Sequence, residues 1–179
     1  MSVSVYFDGL CEPRNPGGVG AYGFVVYIDN RKVHEGYGVV GEGKGMSNNV
    51  AEFSGLVAAL EWLLENGYSE RIVVRGDSQL VINLMNCTWR AKGGMYYPYY
   101  LKAIELAKNF QNITFEWVPR EQNEVADRLS REAYEEYCRA KEKKVRYMSK
   151  PAQRLRETCE DEQVRELREV VTAHEEVVR

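Results

Sequence analysis

The first strand and the loop after it constrain this chain more than any other stretch. Val3, Val5 and Phe7 alternate with Ser4, Tyr6 and Asp8, the period of two expected of a strand with one packed face. β-Branched and aromatic side chains suit such a pleated surface, and aspartate does not. Yet the run reaches Asp8, followed at once by Gly9 and then by the loop signal Asn15, Pro16, Gly17, Gly18. Two explanations stand for a carboxylate at that place. One is a turn, for which Asp-Gly is ordinary chemistry. The other is a ligand held at the mouth of a sheet.

The elements that follow point to a mixed sheet. Residues 21–28 and 32–40 are predicted strands joined by a turn, and they form an antiparallel meander with the first. His34 stands alone on the third strand and is read as structural. A helix is predicted from Ser47 to Leu64, with Phe53, Leu56, Val57, Leu60, Leu63 and Leu64 as its buried stripe. Asn66 and Gly67 end it. Residues 72–74 (Ile, Val, Val) form a wholly apolar strand, the pattern of a central parallel strand. That strand also runs into a carboxylate, Asp77. A short helix to Asn86, a loop carrying Trp89, and a helix opened by Pro98 come next. A strand over residues 113–118 follows. In the final helix Val125, Leu129, Ala133 and Tyr137 recur every four residues. Three strands followed by alternating helix and strand define an α/β domain.

Composition narrows the functional classes. At 179 residues and 44% hydrophobic content, the chain suits one domain with an appendage. No run of 18 apolar residues occurs, so no membrane span is expected. No basic segment leads into an apolar run at the N-terminus, so no secretory signal is read and a cytoplasmic location is expected. Cys11, Cys87, Cys138 and Cys159 are scattered, without a Cys-x-x-Cys pair. Free thiols are therefore expected rather than a zinc site. The net charge of −3 argues against a uniformly basic nucleic-acid protein. Residues 1–137 hold 13 Lys+Arg and 18 Asp+Glu, whereas residues 138–179 hold 11 and 9. The extension divides again. Eight basic residues and one acid lie between Arg139 and Arg156, and eight acids and three basic residues lie from Glu157 onward. Within the acidic half, Val164, Leu167, Val171, His174 and Val178 step by three and four. Two heptads are too short to stand alone. This helix is expected to pack on the body, to form a homodimer or to bind a protein partner.

Four acids gain meaning when they are taken together. Asp8 and Asp77 are expected to end strands, while Glu52 and Asp127 fall in the first turns of two helices. Each has a structural explanation by itself. Glu52 lies three residues after Asn49, the spacing of a capping box, and Asp127 complements a helix dipole. Together they can meet at the carboxyl edge of the sheet, where α/β proteins place their sites. Clustered carboxylates repel unless a cation sits among them, and hard oxygen ligands suit Mg²⁺ or Mn²⁺. Two such ions activate a water and stabilise a leaving oxygen in phosphodiester hydrolysis.

These residues stand in four segments: Tyr6–Gly9 with Asn15–Gly17, Ser47–Glu52, Gly76–Gln79, and Trp117–Leu129. In order and spacing the chain resembles the type 1 ribonuclease H family, most closely its compact archaeal-like branch, over residues 1 to about 137. The resemblance implies a ribonuclease H-like α/β fold. Its five-stranded mixed sheet is ordered 3-2-1-4-5, with strand 2 antiparallel and helices on its flanks. Residues 138–179 are then a charged C-terminal helical extension. The resemblance also implies cleavage of the RNA strand of RNA/DNA hybrids, leaving 3′-hydroxyl and 5′-phosphate ends, with two Mg²⁺ or Mn²⁺ ions per site when substrate is bound. Asp8, Glu52, Asp77 and Asp127 would be the metal ligands. Gly9, Cys11, Asn15, Asn48, Asn49, Ser78, Gln79 and Trp89 would contact substrate. An amide both donates and accepts, which permits contacts independent of base sequence.

Two departures stand out. Many bacterial members carry a histidine in the loop before the last aspartate, where this chain has Arg120. Arginine cannot serve as a general base near neutrality, so a role in holding phosphate or releasing product is expected of it. The Lys/Arg-rich handle of larger members is also missing, leaving Trp89, Arg90 and Lys92. The basic half of the extension is a candidate source of the lost phosphate contacts. Double-stranded RNA or RNA–DNA junctions as substrates, and a catalytically silent binding module, are the alternative readings.

Overall fold

The computed structural model describes residues 1–148. The rest of the basic half, the acidic half with its heptad stripe, and Cys159 lie outside the described residues. The elements in order are β1 (Val3–Glu12), β2 (Val19–Ile28), β3 (Arg31–Glu42), α1 (Asn48–Glu65), β4 (Arg71–Gly76), α2 (Gln79–Met85), α3 (Tyr97–Ala107), β5 (Asn112–Trp117) and α4 (Glu124–Ala140). A 3₁₀ turn, Arg120–Gln122, leads into α4. The sheet order is β3-β2-β1-β4-β5. β2 runs antiparallel to β1 and β3, and β4 runs parallel to β1 and β5.

Strand alternation divides the core between the two faces. Val3, Val5 and Phe7 of β1 join Phe24, Val26, Ile72, Val74 and Phe115 beneath α1, α2 and α3. Leu10, Val19 and Ala21 point the other way and pack with Ala133, Tyr134 and Cys138 of α4. His34 stacks on Trp62 at 4.3 Å and leans on Phe24, an aromatic contact in keeping with its structural reading.

The first strand corrects a sequence expectation. Asp8 does not end it. Pairing with β2 continues through Glu12↔Val19, whereas the parallel register with β4 stops at Tyr6↔Arg75. Asp8 therefore lies just beyond the parallel ladder but inside the antiparallel one. The Asp8–Gly9 pair is strand, and the turn reading is excluded. Gly9 serves a different purpose. A Cβ there would come within 3 Å of the Glu52 amide nitrogen and the Ala51 carbonyl carbon. Directly across from Asp8, a Cβ on Gly23 would come within 3 Å of Leu129 Cβ, Ala126 O and Ser130 N. The two glycines let α1 close on one face and α4 on the other.

Helix α4 is rotated relative to the four-residue stripe read from sequence. Ala126, Leu129, Ser130, Ala133, Tyr134 and Cys138 are buried, while Val125 and Tyr137 are only half-buried. Leu129, Ala126 and Ser130 meet the sheet at Gly23, whose missing side chain lets the helix sit directly on it. Beyond Ala140 the chain returns along α4. Tyr147 meets the Tyr134 ring edge-on at 5.3 Å, the Tyr134 hydroxyl donates to Arg146 O at 2.6 Å, and the Met148 amide donates to Glu12 Oε2 at 2.9 Å. Glu12 is wholly buried, and desolvation pushes its carboxyl up to about 7.

Gly9→Ala tests the close approach. It forces α1 backbone away from β1 and is expected to cost about 1–3 kcal/mol. The check is a lower urea midpoint at unchanged m-value. A midpoint equal to the wild type would contradict the packing argument.

Candidate metal centre and nucleic-acid interface

Asp8, Glu52 and Asp77 meet at the edge that β1 and β4 share with α1. Each offers a carboxylate oxygen, and the three oxygens lie within 4.8 Å of one another. Asp8 and Glu52 are buried and Asp77 partly so. Glu52 is not a helix cap. Ser47 is the N-cap, its hydroxyl accepting from the Val50 amide at 3.2 Å, which places Glu52 one turn into the helix and over Gly9. Asp8 Oδ1 accepts from the Gly9 amide at 2.9 Å. Asp77 follows β4, and the Trp117 indole donates to its carbonyl at 3.0 Å.

The electrostatics of this trio are unfavourable without a cation. Burial raises the Asp8 carboxyl well above its usual range, and the charges of Asp77, Glu52 and Asp127 raise it further. Burial and then Asp77 raise Glu52. Burial raises Asp77, opposed by the Arg120 guanidinium and the Asn123 amide. At an effective dielectric of about 20, two ionised carboxylates this close repel by roughly 3 kcal/mol. Glu52 Oε2 is buried without a hydrogen-bond partner among the described residues. An orphaned acceptor among repelling carboxylates fits a hard divalent cation.

Asp127 is not in the trio. It lies close enough to raise its neighbours, but its own oxygens are paired elsewhere. Oδ2 meets Arg131 at 2.6 Å and Oδ1 meets Arg120 at 3.6 Å. Arg120, in the 3₁₀ turn, also acts on Glu52 and Asp77.

Asn15 Oδ1 accepts from the Asn48 amide at 2.9 Å, which joins the glycine-rich loop to α1. Asn48 and Asn49 are buried in the first turn of α1. Ser78 caps α2 through the Val81 amide, and Gln79 is exposed beside it. Cys11 is wholly buried, with its thiol donating to Arg14 O. Trp89 is half-buried against the main core.

Two residues at this edge escaped the sequence reading. Asn123 stands at the N-cap position of α4, but its amide turns away from the helix. It donates to Phe7 O at 2.8 Å and to Asp77 Oδ1 at 3.4 Å. The Asp127 amide in turn donates to Asn123 O, so one residue joins β1, β4 and α4. An asparagine opening a helix was the available signal, and it pointed to capping. Arg131 was legible only as an i,i+4 partner of Asp127.

Comparison with known proteins places this architecture. A family model described as reverse transcriptase-like matches residues 7–133. The structure of RNase H1 from the halophilic archaeon Halobacterium salinarum superposes with a TM-score of 0.68 at 35% identity, covering 76% of this chain and 99% of that one. The chain belongs to the type 1 ribonuclease H family. LC11-RNase H1, solved in complex with an RNA/DNA hybrid, is 28% identical with a TM-score of 0.69, covering 76% of this chain and 99% of that one. The bifunctional protein Rv2228c of Mycobacterium tuberculosis is 37% identical over 137 residues, which are 74% of this family member. The chain spans about a third of that protein's length, 35%.

The raised carboxyls carry a sign. A carboxyl with an elevated folded pKa contributes stability that is present below its unfolded value and lost as pH rises through the folded value. In metal-free protein, stability is expected to fall as pH rises from about 4, and Glu12 adds to the same slope. Carbon-detected NMR titration of the side-chain carboxyls checks the site directly. Asp8 and Glu52 are expected to hold protons above the usual carboxylate range, and Glu52→Gln to flatten the stability slope. Ordinary titration of both would contradict the description of the trio.

Proposed function

We propose that this chain is a metal-dependent endoribonuclease that hydrolyses the RNA strand of RNA/DNA hybrids, leaving 3′-hydroxyl and 5′-phosphate ends. The observation that carries the reading is the buried carboxylate trio at the sheet edge of a ribonuclease H fold. The hybrid-bound LC11-RNase H1 supports the substrate class.

Asp8, Glu52 and Asp77, joined by Asp127, would hold two divalent ions, Mg²⁺ or Mn²⁺. Bound ions supply an activated water and neutralise the leaving oxygen. The protein's own part is placement. Asn123 fixes Asp77 relative to β1 and α4. Glu52, with an unpartnered oxygen, is suited to accept a ribose 2′-hydroxyl, the group that separates RNA from DNA. Asn15, Asn48, Asn49 and Gln79 would read sugars and bases in the minor groove, with the Gly9 backbone and Ser78 beside them. Cys11 shapes the loop that carries Asn15. Trp89, half-buried against the core, would pack against the DNA strand. Arg120, 26% exposed and facing three of the acids, would meet the scissile phosphate. Among the described residues no helix is long and apolar enough to cross a membrane. Cys11, Cys87 and Cys138 form no disulfide among the described residues, which suits a reducing compartment such as the cytoplasm.

The experiment is cleavage of end-labelled RNA within a hybrid, with Mg²⁺ and then Mn²⁺, beside double-stranded and single-stranded RNA. Metal-dependent cutting of the hybrid is expected, reduced by more than about 100-fold in Asp77→Asn. Arg120→Ala is expected to lower turnover by roughly 10-fold or more. Cutting of double-stranded RNA would widen the substrate class. A wild type that binds hybrid without cutting it would overturn the enzymatic reading.

A further inference from the structure

We infer that Arg131 is a positioning residue that holds Asp127 out of the carboxylate cluster until a divalent cation takes its place. The inference rests on the reading of Asp127 as a metal ligand. It begins from an asymmetry. Three acids share one small volume, and the fourth turns both oxygens to guanidinium groups. A carboxylate in that state must give up an arginine before it can ligate a metal.

The two arginines are not equivalent. Arg120 belongs to the turn before α4, stands 3.6 Å from Asp127 and also faces Glu52 and Asp77. Its interaction is shared over the cluster. Arg131 is on α4 itself, one turn beyond Asp127, and makes the 2.6 Å contact. Acid before base at i,i+4 is the favourable orientation on a helix. The pair is nonetheless poised to yield. Arg131 Nε is buried without an acceptor among the described residues, an unfavourable state for a donor. The side chain is 43% exposed, so solvent screens the ion pair. A dication shared with the other acids outcompetes such a contact.

The arrangement solves a problem of the metal-free protein. A fourth free carboxylate would add its repulsion to three already in conflict. Arg131 removes that charge from the cluster and reduces metal affinity in return, because only the released fraction of Asp127 is competent to bind. Removing the guanidinium should therefore tighten metal binding, and only while Asp127 is present.

The test is calorimetric titration of Mn²⁺ into the full chain without nucleic acid. The variants are Arg131→Gln, Asp127→Asn and their combination, with Arg128→Gln as a charge control. Arg128 sits on the same helix but pairs with Glu35 at 3.3 Å. Arg131→Gln is expected to bind Mn²⁺ about 3- to 5-fold more tightly. Arg128→Gln should stay near the wild type, and the gain should vanish in the Asp127→Asn background. Equal or weaker binding by Arg131→Gln overturns the inference, as does a gain that survives Asp127→Asn. A wild type that takes up no Mn²⁺, or the same amount as Asp8→Asn, would instead overturn the metal-site reading and the lock with it.

Discussion

The close approach of two helices to opposite faces of the β1–β2 pair is the constraint on which the rest of this structure depends. α1 covers β1 across Gly9, and α4 covers the neighbouring β2 across Gly23, the direct partner of Asp8. Neither helix can sit so near a strand that carries side chains at those positions. That contact brings Glu52 to Asp8, and it places the start of α4, with Asp127 and Asn123, beside the same carboxylate. β4 supplies Asp77 because the parallel ladder with β1 ends just short of Asp8. The acidic cluster is thus a consequence of backbone packing, made possible by two missing side chains.

Packing of this kind sets hydrophobic burial against electrostatic repulsion. The cores on the two faces hold the helices down, and the buried carboxyls resist. The metal-free molecule relieves the conflict in three ways. Carboxyl groups keep their protons above the usual range, Arg120 lends positive charge to the cluster, and Asp127 is drawn to Arg131. Each device is reversible, and on the proposed reading each would give way to a bound divalent cation. Stability of the metal-free fold is given up at the place where chemistry is to occur.

Much of this was legible in the sequence, for identifiable reasons. Strand alternation in β1 and the apolar run of β4 separate faces and mark a central strand, and the resemblance carried by the four motif segments implied the sheet order. The acids were visible because aspartate after a strand is out of place. Other features depend on which surface an element meets. Leu129 and Ala133 of the stripe expected on α4 are buried, but its two ends, Val125 and Tyr137, are only half-buried, and Ala126 and Ser130 join Leu129 against the sheet at Gly23. Glu52 had capping-box spacing, yet Ser47 took the cap and left Glu52 over Gly9. Asn123 stands where a cap is expected, while its amide serves Phe7 and Asp77. Sequence spacing shows which neighbours a residue has on its own helix. It does not show which of them a second element will displace.

The central claim is that Asp8, Glu52 and Asp77 form a cation site whose mutual repulsion destabilises the fold when no cation is bound. Thermal unfolding at pH 8 with and without millimolar Mn²⁺, compared between wild type and Asp8→Asn, tests it most directly. The account predicts that Mn²⁺ raises the wild-type Tm by several degrees. Asp8→Asn should melt higher than the wild type without metal and gain little from adding it. A wild type indifferent to Mn²⁺, together with an Asp8→Asn variant that melts lower than it, would contradict the claim.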